Sequence, residues 1–214
     1  DLEDYSAIKA AVLSISGWHD GYRNTTNHLI KNLTSPVKGI IGPWIHKYPH
    51  YAAPSPAIGF LQEAKRWWDH WLKDIDTGVD KDPDFRAYLM DSVTPKRWMD
   101  DRPGRWIVEQ NWPSDTINKE ILYLSQGAAL ELSPTPFNVS ISSAQNCGSK
   151  AGEYFPFAFS DELPENQSHD DAHSACFDGD ELTAPIDIVG SPHVNLRLCC
   201  DKDQGQVIVR LCDI

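Results

Sequence analysis

No stretch of the 214-residue sequence comes near the roughly 18 consecutive apolar residues that a membrane-crossing helix needs, so the chain carries no candidate span. Basic charge is also scarce. The 19 Lys and Arg stand against 31 Asp and Glu, a formal net charge of -12, and this removes the concentrated positive patch that nucleic acid or an anionic membrane surface would demand. Neither partner is expected. The sequence opens Asp1-Leu2-Glu3 with no Met and no basic segment ahead of an apolar one, so no signal peptide is visible. That favours a cytoplasmic location, with the true N-terminus expected upstream. The five cysteines (Cys147, Cys176, Cys199, Cys200 and Cys212) are odd in number and lack metal-ligand spacing, so buried free thiols are the expected state.

What is present suits a folded core, with 41% hydrophobic and 23% charged residues. Residues 10–16 (AAVLSIS) read as a strand buried on both faces of a parallel sheet, ended by Gly17. Asn24-Thr25-Thr26 can cap a helix that runs to about Leu33, where Ser35-Pro36 stops it. Residues 38–41 form the next short strand, which breaks at Gly42-Pro43. The unit is βαβ. Residues 60–73 carry apolar side chains at helical spacing, Phe60, Leu61, Ala64, Trp67, Trp68, Trp71 and Leu72, and so predict a helix that buries a broad aromatic stripe.

The acidic stretch 74–83, which holds Gly78 and Pro83, differs from its surroundings and predicts a domain boundary. Beyond it, alternating runs at 85–90, 105–108, 121–124, 195–199 and 207–212 are separated by Pro, Gly, Ser and Asp clusters, as in an all-β sandwich. The last run reaches the terminus without a closing partner, so an exposed edge is expected there. The fold class is therefore α/β plus all-β, with an α/β portion at 1–78 and a β-sandwich at 79–214.

Two residues stand where chemistry is usually built. Asp20 follows the first strand, and His46 follows the second, 26 positions later. In α/β-hydrolases the chain order is nucleophile, acid, histidine, with the acid after a late strand and the histidine after the last. Asp20 would orient the imidazole of His46, and His46 would take a proton from a serine hydroxyl. The same two residues are equally consistent with a turn-capping aspartate and an ordinary loop histidine. His169, Asp170, Asp171 and His173 could ligate a divalent metal, but a structural role is the expected one, and no metal is assigned.

The motifs carry more than the order does. Gly17-Trp18-His19-Asp20-Gly21-Tyr22 and Gly42-Pro43-Trp44-Ile45-His46 resemble the acid and histidine segments of the cocaine-esterase-like and X-Pro dipeptidyl-peptidase-like serine hydrolases. The helix ending Trp67-Trp68-Asp69-His70-Trp71-Leu72-Lys73 resembles the stretch that closes that family's catalytic domain. Arg105-Trp106, Trp112-Pro113, Tyr123-Leu124, Gln167, Asp170-Asp171 and Ser174 resemble the start of its C-terminal jelly roll. The resemblance implies an α/β-hydrolase tail followed by an incomplete galactose-binding-like jelly roll. It also implies Asp20 and His46 as catalytic residues, no cofactor, and a small-molecule ester, amide or peptide substrate. Trp18, Tyr22 and Trp44 would line the substrate site.

The family's nucleophile elbow, with the tyrosine of its oxyanion hole, has no counterpart before Asp20. Ser14 and Ser16 lie inside the strand that delivers the acid, so the fragment alone is expected to be inactive. The rival reading is a non-catalytic carbohydrate- or ligand-binding β-sandwich with an α/β remnant. In the α-amino-acid ester hydrolase branch, acids occupy the positions taken here by Tyr22 and Arg23. The full-length enzyme should therefore show no large preference for α-amino esters over their deaminated analogues when the two kcat/KM values are compared; a large preference would overturn this.

Overall fold

The computed structural model describes residues 4–126, 129–157 and 161–214. The β-branched Val12 and Ile15 favour extended backbone, and they lie in strand β1 (Val12–Gly17). Strand β2 (Val37–Gly42) runs parallel to it, in register from Val12 opposite Val37 to Gly17 opposite Gly42. Helix α1 (Arg23–Asn32) connects the two and packs on both. Gly39 makes that packing close, since a Cβ there would lie 2.9 Å from methyl carbons of Ile30 and Thr26. The hydroxyls of Ser14 and Thr26 bond each other at 2.8 Å, which satisfies two polar groups beneath the helix.

Two expectations need adjustment here. The helix begins at Arg23 rather than after an Asn24 cap, because the Asp20 and Tyr22 carbonyls already accept the amides of Arg23 and Thr25. Strand β1 is also only partly buried: it lies at one end of the sheet, and β2 occupies the doubly covered position. Ile41 faces one core with Ile30, Phe85 and Ala87, and its neighbour Ile40 faces the other with Trp44 and Ala52.

Strand β3 (Phe85–Met90) pairs parallel with β2, and strand β4 (Gly104–Glu109) pairs antiparallel with β3, giving the order β1-β2-β3-β4. Both strands were expected in the β-sandwich, and both instead extend the α/β sheet. Side chains explain the difference. Arg86 on β3 forms a two-pronged ion pair with Glu63 at 3.0 and 2.9 Å. Lys38 on β2 donates to Asp84 at 3.0 Å, and the Asp84 carbonyl accepts the Gly39 amide at 2.8 Å.

Helix α2 (Phe60–Lys73) supplies Glu63 and buries Ala64, Trp67 and Asp69. The aromatic stripe is narrower than expected, because Leu61, Trp68 and Leu72 are exposed. The 74–83 stretch folds back on this helix through Arg66, which pairs with Asp82 at 3.2 Å.

Further elements are a hairpin of β5 (Tyr123–Ser125) and β6 (Ala129–Glu131), the short helix α3 (Ser168–Asp171), and 3-10 turns at Tyr5–Ala7 and Val79–Lys81. Residues 195–199 and 207–212, expected as strands, make no strand pairing among the described residues. Alternation alone does not define a strand; the backbone also needs a neighbouring ladder. The thiols also depart from expectation: all five are free, but Cys176, Cys199, Cys200 and Cys212 are exposed.

One pair of glycines sets the sheet's upper edge. A Cβ on Gly42 would lie 2.3 Å from the Trp44 indole, and one on Gly17 would lie 2.0 Å from the Trp44 carbonyl oxygen. Gly42→Ala should therefore lower stability in urea unfolding by about 1–3 kcal/mol, and Gly17→Ala, which meets rigid backbone, by at least as much. Gly179→Ala has its nearest neighbour at 4.0 Å and should be close to neutral.

Candidate active site

The ladder between β1 and β2 does not stop where the strands stop. The Trp18 amide donates to the Gly42 carbonyl at 2.9 Å, and the His19 amide donates to the Trp44 carbonyl at 3.0 Å. Gly17 allows this, since any side chain there would strike Trp44. The two loops therefore leave the sheet in contact. Asp20 lies three residues beyond Gly17 and His46 four beyond Gly42, the residues paired at the ends of the strands.

Their side chains meet. His46 Nδ1 lies 3.0 Å from Asp20 Oδ2. An ionised carboxylate only accepts, so the proton of this bond belongs to Nδ1, and Nε2 keeps its lone pair. The other carboxylate oxygen of Asp20 accepts the Tyr22 amide at 2.8 Å. The Asp20 side chain is 11% exposed and that of His46 38%, so the acid is sheltered while the imidazole stays accessible. The arrangement is chemically competent as an acid–histidine pair for general base work. Among the described residues no serine hydroxyl bonds to His46. Ser14 is bonded to Thr26, and the hydroxyl of Ser16 is buried without a partner.

Trp18, Tyr22 and Trp44, read from the sequence as substrate-site residues, take different places. Tyr22 is 61% exposed and its ring meets that of His46 edge-on at 5.8 Å. Trp44 is buried, stacked beside Gly42, with its indole N–H on the Pro56 carbonyl at 2.8 Å. Trp18 packs against the Ile30, Ile41, Phe85 and Ala87 core and donates to the Tyr88 carbonyl at 2.7 Å. Both indoles are thus engaged in framework, and Tyr22 is the member of the three that borders the histidine.

Sequence reasoning missed the segment that borders it from the other half of the chain. Phe155 lies 4.2 Å from the His46 ring and Phe157 5.1 Å, centroid to centroid. The only signal was local, a Tyr154-Phe155-Pro156-Phe157 run inside a polar stretch. The His169–His173 cluster is held by internal contacts: Asp170 accepts the Gly148 amide at 2.9 Å, and Asp171 pairs with Arg210 at 2.6 Å. Among the described residues, His70, Asp76 and Asp80 bring ligand-capable atoms within 4.8 Å of one another, with both acids exposed.

Residues 77–214 match the family model described as the X-Pro dipeptidyl-peptidase C-terminal non-catalytic domain, and residues 2–48 match X-Pro dipeptidyl-peptidase (S15 family). The second match contains both Asp20 and His46. Proteins of Mycobacterium bovis and Mycobacterium tuberculosis, each named as a candidate serine esterase, are 28% identical over 158 residues, which is 71% of this chain and 22% of theirs. The chain thus spans about a fifth of the length of the curated relatives it matches. A crystal structure of a CocE/NonD family hydrolase from Staphylococcus aureus superposes with a TM-score of 0.46 at 16% identity, over 60% of this chain and 22% of that one.

His19, between Trp18 and the acid, is partly buried, and its pKa is pushed from 6.5 down to about 4, first by burial and then by the Arg102 and Arg23 guanidiniums. The folded state resists protonation there while the unfolded chain accepts it at ordinary pH. Stability is therefore unaffected above pH 6.5 and falls as pH drops from 6.5 towards 4, by up to about 1.4 kcal/mol per pH unit from this group. Urea unfolding across that range should show the slope, and His19→Asn should flatten it.

Proposed function

The chain belongs to the X-Pro dipeptidyl-peptidase family of serine hydrolases, and on that premise we propose that it is the acid- and histidine-bearing portion of an enzyme that cleaves acyl ester or amide bonds. Asp20 and His46 are the catalytic pair, and the serine comes from outside these 214 residues. The observation that carries this reading is the 3.0 Å bond between His46 Nδ1 and Asp20 Oδ2 at the adjoining ends of two parallel strands.

In the proposed reaction the serine hydroxyl gives its proton to His46 Nε2 as its oxygen attacks the acyl carbon. The imidazolium, held by Asp20, then protonates the leaving alcohol or amine. Water adds to the acyl-enzyme by the same route, and the serine is regenerated. No cofactor takes part. Tyr22 and Arg23 occupy positions after the acid, and Arg23 would repel a free α-amino group, so the preferred acyl group lacks one. Chain 1–78 is read as the end of the α/β-hydrolase domain and 79–214 as the family's C-terminal part, whose first two strands, β3 and β4, join the α/β sheet and whose remainder is read as jelly roll. The family match beginning at residue 77 supports that division. Alone, without the nucleophilic serine, the chain should be inactive.

The test is ester hydrolysis and fluorophosphonate labelling of the full-length protein. His46→Ala should lower kcat by about 10⁴- to 10⁶-fold and abolish labelling, and Asp20→Asn should cost about 10⁴-fold by disturbing the tautomer. Variants as active as the parent would refute the assignment.

A further inference from the structure

The dyad loops are bridged by a strap from the C-terminal half. The His46 amide donates to the Pro156 carbonyl at 3.1 Å, and the Tyr154 hydroxyl donates to the Gly21 carbonyl at 3.2 Å. Between these two bonds the Phe155 ring lies on the imidazole at 4.2 Å and a tilt of 37°, while it meets Tyr22 edge-on at 5.2 Å. Gly21 leaves the space for it, since a Cβ there would fall 2.3 Å from Phe155 Cδ2.

The strap is itself anchored. Gly152 has φ +77, a conformation that L side chains rarely adopt, and a Cβ there would meet the Glu162 carbonyl oxygen at 2.7 Å. The Glu153 amide donates to that carbonyl at 2.8 Å, and the buried Glu162 carboxylate accepts the Phe157 amide with both oxygens at 3.1 Å. Residues 161 and 163 are in turn tied to Arg97.

A single bond to Asp20 fixes one point on the imidazole and leaves the ring free to rotate about that bond. The Pro156 carbonyl fixes the backbone that carries the ring, and the Phe155 face fixes the ring plane. We propose that Phe155 is a positioning residue for His46, so that the half of the chain matched as a non-catalytic domain holds the catalytic histidine in place. This rests on the acid–base reading of Asp20 and His46. A base displaced by about 1 Å can cost on the order of 100-fold in rate, and the strap prevents that displacement.

The experiment is steady-state ester hydrolysis by the full-length enzyme. Phe155→Ala should lower kcat roughly 10- to 100-fold with KM held within about 3-fold, and Phe155→Tyr, which keeps the ring, should recover most of the loss. Phe155→Leu serves if the alanine variant does not fold, with an intermediate loss in kcat expected. An unchanged kcat, a loss carried by KM alone, or no recovery in Phe155→Tyr would overturn the positioning role. His46→Ala runs alongside. If it is inactive while Phe155→Ala matches the parent, only the strap proposal fails; if it is fully active, the acid–base reading fails first.

Discussion

The approach of Gly17 to the backbone of Trp44 is the constraint on which the rest depends. Parallel strands end wherever their ladder ends, and loops beyond that point normally diverge. Here the amides of Trp18 and His19 keep bonding to the Gly42 and Trp44 carbonyls, so the loops stay together for several more residues. That continuation requires the missing side chains at 17 and 42, and it requires the Trp44 indole to fill the space they leave. A sequence separation of 26 residues then closes to a 3.0 Å hydrogen bond. The indole is buried and its N–H is satisfied, so the wedge costs no unpaired polar group.

Charge and aromatic contacts couple this edge to the rest of the chain. The Glu63–Arg86 pair joins α2 to β3, Lys38 reaches Asp84, and Trp18 donates to Tyr88 on β3. Each bond crosses the region between residues 74 and 83, so the sheet below the site draws strands from both family matches. The strap at 152–157 works in the same direction from above. The acid–histidine pair is therefore bordered by elements from both halves of the chain.

Much of the site was legible because its determinants are local. Gly17-Trp18-His19-Asp20 and Gly42-Pro43-Trp44-Ile45-His46 carry their own geometry, and β1, α1, β2 and α2 follow from short-range pattern. The destination of β3 and β4 was not legible. Their alternation is the same whether they enter a sandwich or extend a parallel sheet, and what distinguishes the two is long-range contact, such as the packing of Phe85 and Ala87 with Ile41, that no window of sequence contains. In the sequence Trp18 and Trp44 look like pocket residues beside an acid–histidine pair, yet each indole N–H finds a backbone carbonyl and each ring packs inward. Phe155 could not have been tied to His46 either, because more than a hundred residues separate them and no local pattern announces which ring will lie on the imidazole. The runs at 195–199 and 207–212 have strand-like alternation, but a strand also needs a neighbour to bond.

The most direct measurement is the NMR spectrum of the imidazole N–H protons in full-length protein labelled with ¹⁵N-histidine. The account predicts a strongly deshielded Nδ1 proton on His46, lost in His46→Ala and in Asp20→Ala, and weakened when Gly17→Ala separates the loops. A His46 resonance that is not deshielded, or one indifferent to Asp20→Ala, would contradict the claim that these two strand ends deliver an acid–histidine pair.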